Sequence, residues 1–225
     1  MADLADARAF IRANLPLAEV PGTGVRLHLA APRSGLSRLV PPGERPYWAY
    51  AWPGGVALAM HMAARPETVR GRDVVEIGTG SGLVSLAALR AGAASALGFD
   101  ADPLAKIATE ANAEANGLPR PLVLLCEAKH LPSSLGSIRK LPGRSVVLAG
   151  DVFYDEALAP LTIQALDAAL AALGPGTSIL VGDIGRRYLP RDRLEPLASY
   201  PVRDVGDPPS APLRDGCVFR WKPLP

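Results

Sequence analysis

Apolar positions along the chain repeat with two periods, and the switches between them predict its elements. Leu4, Ala7, Phe10, Ile11 and Leu15 fall at helical spacing, so the chain should open with an amphipathic helix. A Pro/Gly-punctuated stretch over 16–53 follows, and within it 25–29 (Val-Arg-Leu-His-Leu) alternates like a short half-buried strand. Pro53 then opens a helix over 54–64, with Val56, Leu58, Ala59 and Met60 turned inward and Pro66 beyond its end. From Arg72 onward strand and helix signals alternate. Strands are expected over 74–77, 94–99, 122–126, 145–149 and 178–181, and helices over 82–91, 103–116 and 156–173. Gly117 and Gly174 stand where the last two helices should end. Residues 131–143 read as a loop or irregular helix. Past Arg191 the rhythm changes to a helix over 191–199 and two strands near 202–205 and 216–221. A βαβ alternation of this kind implies a parallel sheet with helices on both faces.

Composition narrows the class. The 225 residues are 48% apolar, 20% charged and only 5% aromatic, so the core must be built largely from Ala, Leu and Val. The length suits a single domain over 1–225. It divides into an N-terminal extension (1–53), a nucleotide-binding core (54–190) and C-terminal strands (191–225). A net charge of +2 gives no electrostatic ground for a nucleic-acid or membrane partner. Arg186, Arg187, Arg191 and Arg193 read as a solvated face. Cys126 and Cys217 form no metal spacing and are expected to be buried free thiols in a reducing compartment. Asp3 and Asp6 break the first apolar stretch, which is therefore not a secretory leader. A cytosolic monomer is expected.

The chemistry concentrates after the strand over 74–77, which runs into Gly78-Thr79-Gly80-Ser81-Gly82 and a helix. Glycines let the backbone turn sharply and approach a ligand, and a helix N-terminus presents free amides to it. Asp100 ends the next strand, eighteen residues past Gly82, where doubly wound folds place an acid on ribose hydroxyls. A Gly-rich turn alone also occurs as purely structural. Dinucleotide enzymes use G-x-G-x-x-G; here Leu83 occupies the place of that third glycine, and Glu76 precedes the first by two residues. This arrangement is similar to motif I of class I methyltransferases. The resemblance implies S-adenosylmethionine as cofactor, with Gly78, Thr79, Gly80 and Gly82 forming the turn around it. It further implies Asp100 on the ribose and Glu76 near the cationic amino end of the methionine moiety.

The second half of the chain sharpens the resemblance. Gly150-Asp151-Val152-Phe153-Tyr154-Asp155-Glu156 follows the fourth strand, Gly182-Asp183-Ile184-Gly185-Arg186 the fifth, and Trp52-Pro53-Gly54-Gly55 lies upstream. Over roughly 47–187 the chain resembles the electron transfer flavoprotein beta-subunit lysine methyltransferase family. It departs from that pattern at Ile184, where a proline is expected, and at Glu127, which replaces a more usual Asn or Asp. The resemblance implies an α/β fold with a Rossmann-like, seven-stranded, mostly parallel sheet. It implies S-adenosylmethionine as cofactor, Glu127 on the adenine amino group, Trp52 at the cofactor, and an electron transfer flavoprotein beta subunit as substrate.

A lysine amine attacks a methyl group only when neutral, and deprotonating it near pH 7.4 costs about 4 kcal/mol from a pKa of about 10.4. Asp151 is read as the acceptor that orients the amine and relays its proton, with in-line positioning supplying most of the rate. Tyr154 and Trp52 offer aromatic faces to a sulfonium or methylammonium, each contact worth roughly 0.5–2 kcal/mol. Asp155, Glu156 and Asp183 are expected to ring the opening and attract a basic substrate, although Asp155 and Glu156 also read as the N-cap region of the next helix. Two other readings stay open: methylation of a small nicotinamide-like amine, and a non-catalytic binding module on the same fold.

Overall fold

The computed structural model describes residues 4–138, 145–174, 176–208 and 210–223. Seven strands form one sheet: β3 (Asp73–Ile77), β4 (Ser95–Asp100), β5 (Leu122–Leu125), β6 (Ser145–Gly150), β7 (Ser178–Asp183), β8 (Leu194–Val202) and β9 (Arg214–Trp221). Their spatial order is β5-β4-β3-β6-β7-β9-β8. The first five run parallel, and β9 lies antiparallel to both β7 and β8. This is the Rossmann-like, mostly parallel α/β sheet expected from the sequence.

The period of two in the central strands sorts their side chains to opposite faces. Val74, Val146, Leu148 and Leu180 pack against α2 (Pro53–Ala64) and α3 (Leu83–Arg90). Val75, Ile77, Val147, Ala149, Ile179 and Val181 pack against α5 (Leu131–Gly136) and α6 (Leu158–Leu173). Helices therefore cover both faces.

The N-terminal extension is a helix, α1 (Leu4–Asn14), and a hairpin of β1 (Leu17–Val20) with β2 (Val25–His28). Ala7, Phe10, Ile11 and Leu15 are buried, as the helical spacing predicts, while the side chain of Leu4 lies outside the described residues. Together with Trp48 they form a third core against α4 (Pro103–Asn116), and Glu114 of α4 accepts from both Arg8 and Arg12.

Three expectations are corrected. The helix over 191–199 is a 3-10 turn, Arg191–Arg193, followed by β8, which ends at Val202 instead of a strand starting there. Pro196 would withhold an amide from that helix, whereas an edge strand tolerates both it and Pro201, and the register shifts between Pro196 and Ala198. The helix expected from Glu156 starts at Leu158, after a turn in which the Asp155 carboxylate accepts from the amides of Ala157 (2.8 Å) and Leu158 (3.1 Å). Cys126 and Cys217 are unpaired but only partly buried. In the 131–143 segment, Leu131–Gly136 is helical, and the part from 139 on lies outside the described residues.

Candidate active site at the carboxyl ends of the central strands

The chain leaves β3 toward β4 and β5 on one side and returns to β6 and β7 on the other, so β3 and β6 flank the switch point. Open α/β sheets bind ligands at the carboxyl ends of such strands. The Gly78–Gly82 turn, Asp100, Asp151 and Asp183 all follow or end strands there.

The turn is held from beneath. The amides of Gly78 and Thr79 donate to Phe99 O at 2.9 and 3.2 Å, and the Gly80 amide donates to Asp100 Oδ2 at 2.7 Å. Gly82 sits at φ 81°, and a Cβ there would lie 2.8 Å from Thr109, so the backbone requires glycine. Asn112 of α4 ties the turn to the extension: its amide donates to Ser81 O at 2.8 Å, and its oxygen accepts from His28 N at 2.7 Å. The Thr79 side chain is buried, so this residue serves the turn through its backbone. A Cβ on Gly80 would meet nothing closer than 4.0 Å, which leaves the outer face of the turn open.

Two acids lie behind that face, Glu76 buried and Asp100 partly buried. Glu76 accepts from the amide of Ser85 at 3.0 Å and from its hydroxyl, and burial pushes its pKa up to about 8 against those bonds. Burial also raises Asp100, opposed by the amides of Asp102 and Gly80. Among the described residues neither acid is in an ion pair. A cationic ligand would stabilise the ionised form of such desolvated, unpaired acids.

Asp151 is the residue whose partners the sequence did not reveal. It adopts φ 52°, one of two non-glycine positive values among the described residues. Its Oδ2 accepts from the amide of Gly54, the second residue of α2, and its Oδ1 accepts from Arg186 Nε at 3.0 Å. Arg186 in turn grips Asp204 through both terminal nitrogens, at 3.0 and 3.2 Å. Burial raises the pKa of Asp151, while Gly54 and Arg186 hold it down. The buried carboxylate therefore ties α2 to the strap after β7, and through Asp204 to the turn that follows β8.

Asp183 does not belong to the rim. It is 0% exposed; its Oδ1 accepts from the amides of Gly185 and Arg186, both at 2.6 Å, and its Oδ2 has no partner among the described residues. Its position as the last residue of β7, paired with β9, buries it. Burial raises its pKa from 3.8 to about 6. Because the fold binds this proton more tightly than the unfolded chain does, the associated stability is full below pH 3.8 and is lost as pH rises to about 6. Asp183→Asn should therefore raise Tm at pH 7.5 and change it little at pH 4.5. A drop at both pH values would contradict this reading.

Tyr154 is 46% exposed and stands 5.5 Å, ring to ring, from Tyr47. Tyr47 lies 5.6 Å from Trp52, and Trp52 6.0 Å from Tyr50. Desolvation, with smaller contributions from Tyr47 and Asp100, pushes the Tyr154 phenol up to about 12, so it is neutral at working pH and cannot serve as a base. Sequence reasoning missed Tyr47 and Tyr50. The available signal was density, since four of the chain's twelve aromatic residues fall between 47 and 52. Arg186 and Asp204 were missed as partners of Asp151.

The remaining candidates are peripheral. Glu127 is exposed and paired with Lys129 at 2.7 Å, which lowers its pKa. It follows Cys126, whose amide donates to Asp100 O at 2.7 Å, so it borders the same end of the sheet. Asp155 and Glu156 are exposed beside Tyr154.

Residues 59–149 match the ribosomal protein L11 methyltransferase (PrmA) family. Electron transfer flavoprotein beta subunit lysine methyltransferase from Xenopus laevis is 34% identical over 224 residues, covering 96% of this chain and 87% of that protein. The Danio rerio protein of the same name is 36% identical over 189 residues, covering 82% and 69%. Among solved structures, TrmN from Thermus thermophilus aligns with a TM-score of 0.51 at 24% identity, over 75% of this chain and 50% of that one. Ribosomal protein L11 methylase from Lactobacillus delbrueckii subsp. bulgaricus aligns at 0.50 and 18%, over 75% and 78%. These two share the fold.

Proposed function

Because the chain belongs to the electron transfer flavoprotein beta subunit lysine methyltransferase family, we propose that it moves methyl groups from S-adenosylmethionine to a lysine of such a beta subunit. The observation that supports the cofactor is the pair of desolvated acids, one buried and one partly buried and neither in an ion pair, behind an open glycine turn. Glu76 faces the need for a positive partner, which a methionine ammonium would meet. Asp100 keeps lone pairs beyond its bonds to Gly80 and Asp102 for ribose hydroxyls. Glu127 borders the adenine end, and Trp52 and Tyr154 present aromatic faces to the sulfonium side.

Bound there, the cofactor supplies an electrophilic methyl: the lysine N–C bond forms as the S–C bond breaks, the thioether departs and the amine's proton passes to water. The protein's share is positioning. Asp151, fixed by Gly54 and Arg186, orients the amine through its remaining lone pairs and relays the proton. Tyr154 walls the amine without taking its proton. Asp155 and Glu156 form an acidic mouth suited to a basic protein surface. Among the described residues no helix is long and apolar enough to cross a membrane.

If Glu76 meets a cation on binding, it must release its proton. Cofactor affinity should rise by up to about tenfold per pH unit below pH 8 and then level off. Calorimetry in buffers of different ionisation enthalpy reads this release directly; a pH-independent affinity would remove Glu76 from that role. Asp155→Asn with Glu156→Gln keeps the turn before α6, because an Asn oxygen also accepts from the amides of Ala157 and Leu158. This pair should raise the KM for a protein substrate and flatten its salt dependence, with cofactor affinity unchanged, since rim charges steer encounter.

The reading as a whole is tested by incubating a cell lysate with the protein and methyl-labelled cofactor. Label on a lysine of one polypeptide supports it. Label recovered only in a small amine supports the nicotinamide-like alternative instead.

A further inference from the structure

Tyr47 owes its position to its neighbour. Trp48 is 1% exposed, packed into the core formed by α1 and α4, and this anchor fixes the 3-10 turn Tyr47–Ala49. With Trp48 pointing inward, Tyr47 is left 39% exposed. Its carbonyl accepts from Trp52 Nε1 at 2.8 Å, which sets the indole beside the phenol. Tyr47 then bridges Trp52, at the start of α2, to Tyr154, after β6, at centroid distances of 5.6 and 5.5 Å. The three rings form one continuous wall. It stands next to the cofactor turn: a Cβ on Gly80 would lie 4.0 Å from Trp48 Cα, and the Tyr154 phenol senses the charge of Asp100. Arginine side chains cover Phe10, Tyr188 and Trp221, but among the described residues none covers a ring of this wall.

Exposed aromatic faces attract ammonium groups, and the attraction grows when the cation is poorly hydrated, as a methylated one is. We propose that Tyr47 is a specificity-determining residue, whose ring joins Trp52 and Tyr154 in a wall that receives the target ammonium and its methylated forms and so decides how far methylation proceeds. The inference rests on the lysine reading above for its substrate, and on the ring geometry for the wall itself. It also gives the extension a purpose: α1 and its core hold one side of the substrate mouth.

The test compares parent, Tyr47→Phe and Tyr47→Ala on purified electron transfer flavoprotein, resolving un-, mono-, di- and trimethylated lysine by mass spectrometry. Tyr47→Ala should raise KM for the already methylated substrate by about tenfold, a larger rise than for the unmethylated one, and accumulate lower methylation states. Tyr47→Phe keeps the ring and should behave like the parent. An unchanged product distribution in Tyr47→Ala would overturn the proposal. A second arm needs no lysine substrate: tetramethylammonium should quench tryptophan fluorescence in the parent and several-fold more weakly in Tyr47→Ala. A parent that methylates no lysine would end the substrate reading, and the wall then stands or falls on that titration. Equal quenching in both proteins would overturn it.

Discussion

Replacing Asp151 with asparagine should lower single-turnover methyl transfer by about a hundredfold while cofactor affinity stays within about twofold. The substitution is nearly isosteric, but it turns one acceptor into an amide donor. An Asn oxygen can still accept from Gly54, which leaves the new NH2 facing Arg186 Nε, where the parent has a 3.0 Å bond. Arg186 keeps its two bonds to Asp204, so the guanidinium is not stranded. Stability should fall by about 1–3 kcal/mol, the cost of one unsatisfied buried group. A rate equal to the parent's, measured with saturating cofactor, would leave the mechanism without its orienting group.

Gly54→Ala should be more damaging to the fold. A Cβ at Gly54 would sit 2.2 Å from Gly182 O and 2.8 Å from Asp151 N, and both obstacles are backbone. Gly182 returns the constraint, since its own Cβ would lie 2.1 Å from Gly54 O. Side-chain rotation relieves neither contact, so α2 must move off the ends of β6 and β7. Overpacking of this kind costs about 3 kcal/mol or more, which lowers Tm by roughly 6–12 °C in a chain of this size. Activity should fall too, because the displaced Gly54 amide is the one that holds Asp151. Gly136→Ala, where a Cβ meets nothing within 4 Å, is the matched control and should leave Tm and activity unchanged. Equal Tm values for the two variants would show that the glycine contact is not what seats α2.

Those two residues mark how far the sequence could be read. Strands β3, β4, β6 and β7 announce themselves as short apolar runs with helices between, and the glycine turn with Glu76 and Asp100 is a local pattern over 25 residues, 76–100. The bonds that give Asp151 its setting are not local: Gly54 lies 97 residues away and Arg186 lies 35 away. Periodicity carries no information about such a meeting. In the sequence Asp183 reads as a rim residue because it ends a strand as Asp100 does, yet pairing of β7 with β9 closes over it. The same antiparallel partner made a strand of 194–202, where composition alone suggested a helix. Nothing local marks Tyr47, because its role depends on a ring that follows β6, Tyr154.

The central claim is methyl transfer from S-adenosylmethionine to a lysine of an electron transfer flavoprotein beta subunit. The most direct measurement offers the purified flavoprotein and nicotinamide together, with cofactor, and follows both by mass spectrometry. The account predicts methyl groups on a beta-subunit lysine, nicotinamide left unmodified, and loss of the signal with Asp151→Asn. Methylated nicotinamide beside an untouched flavoprotein would contradict it.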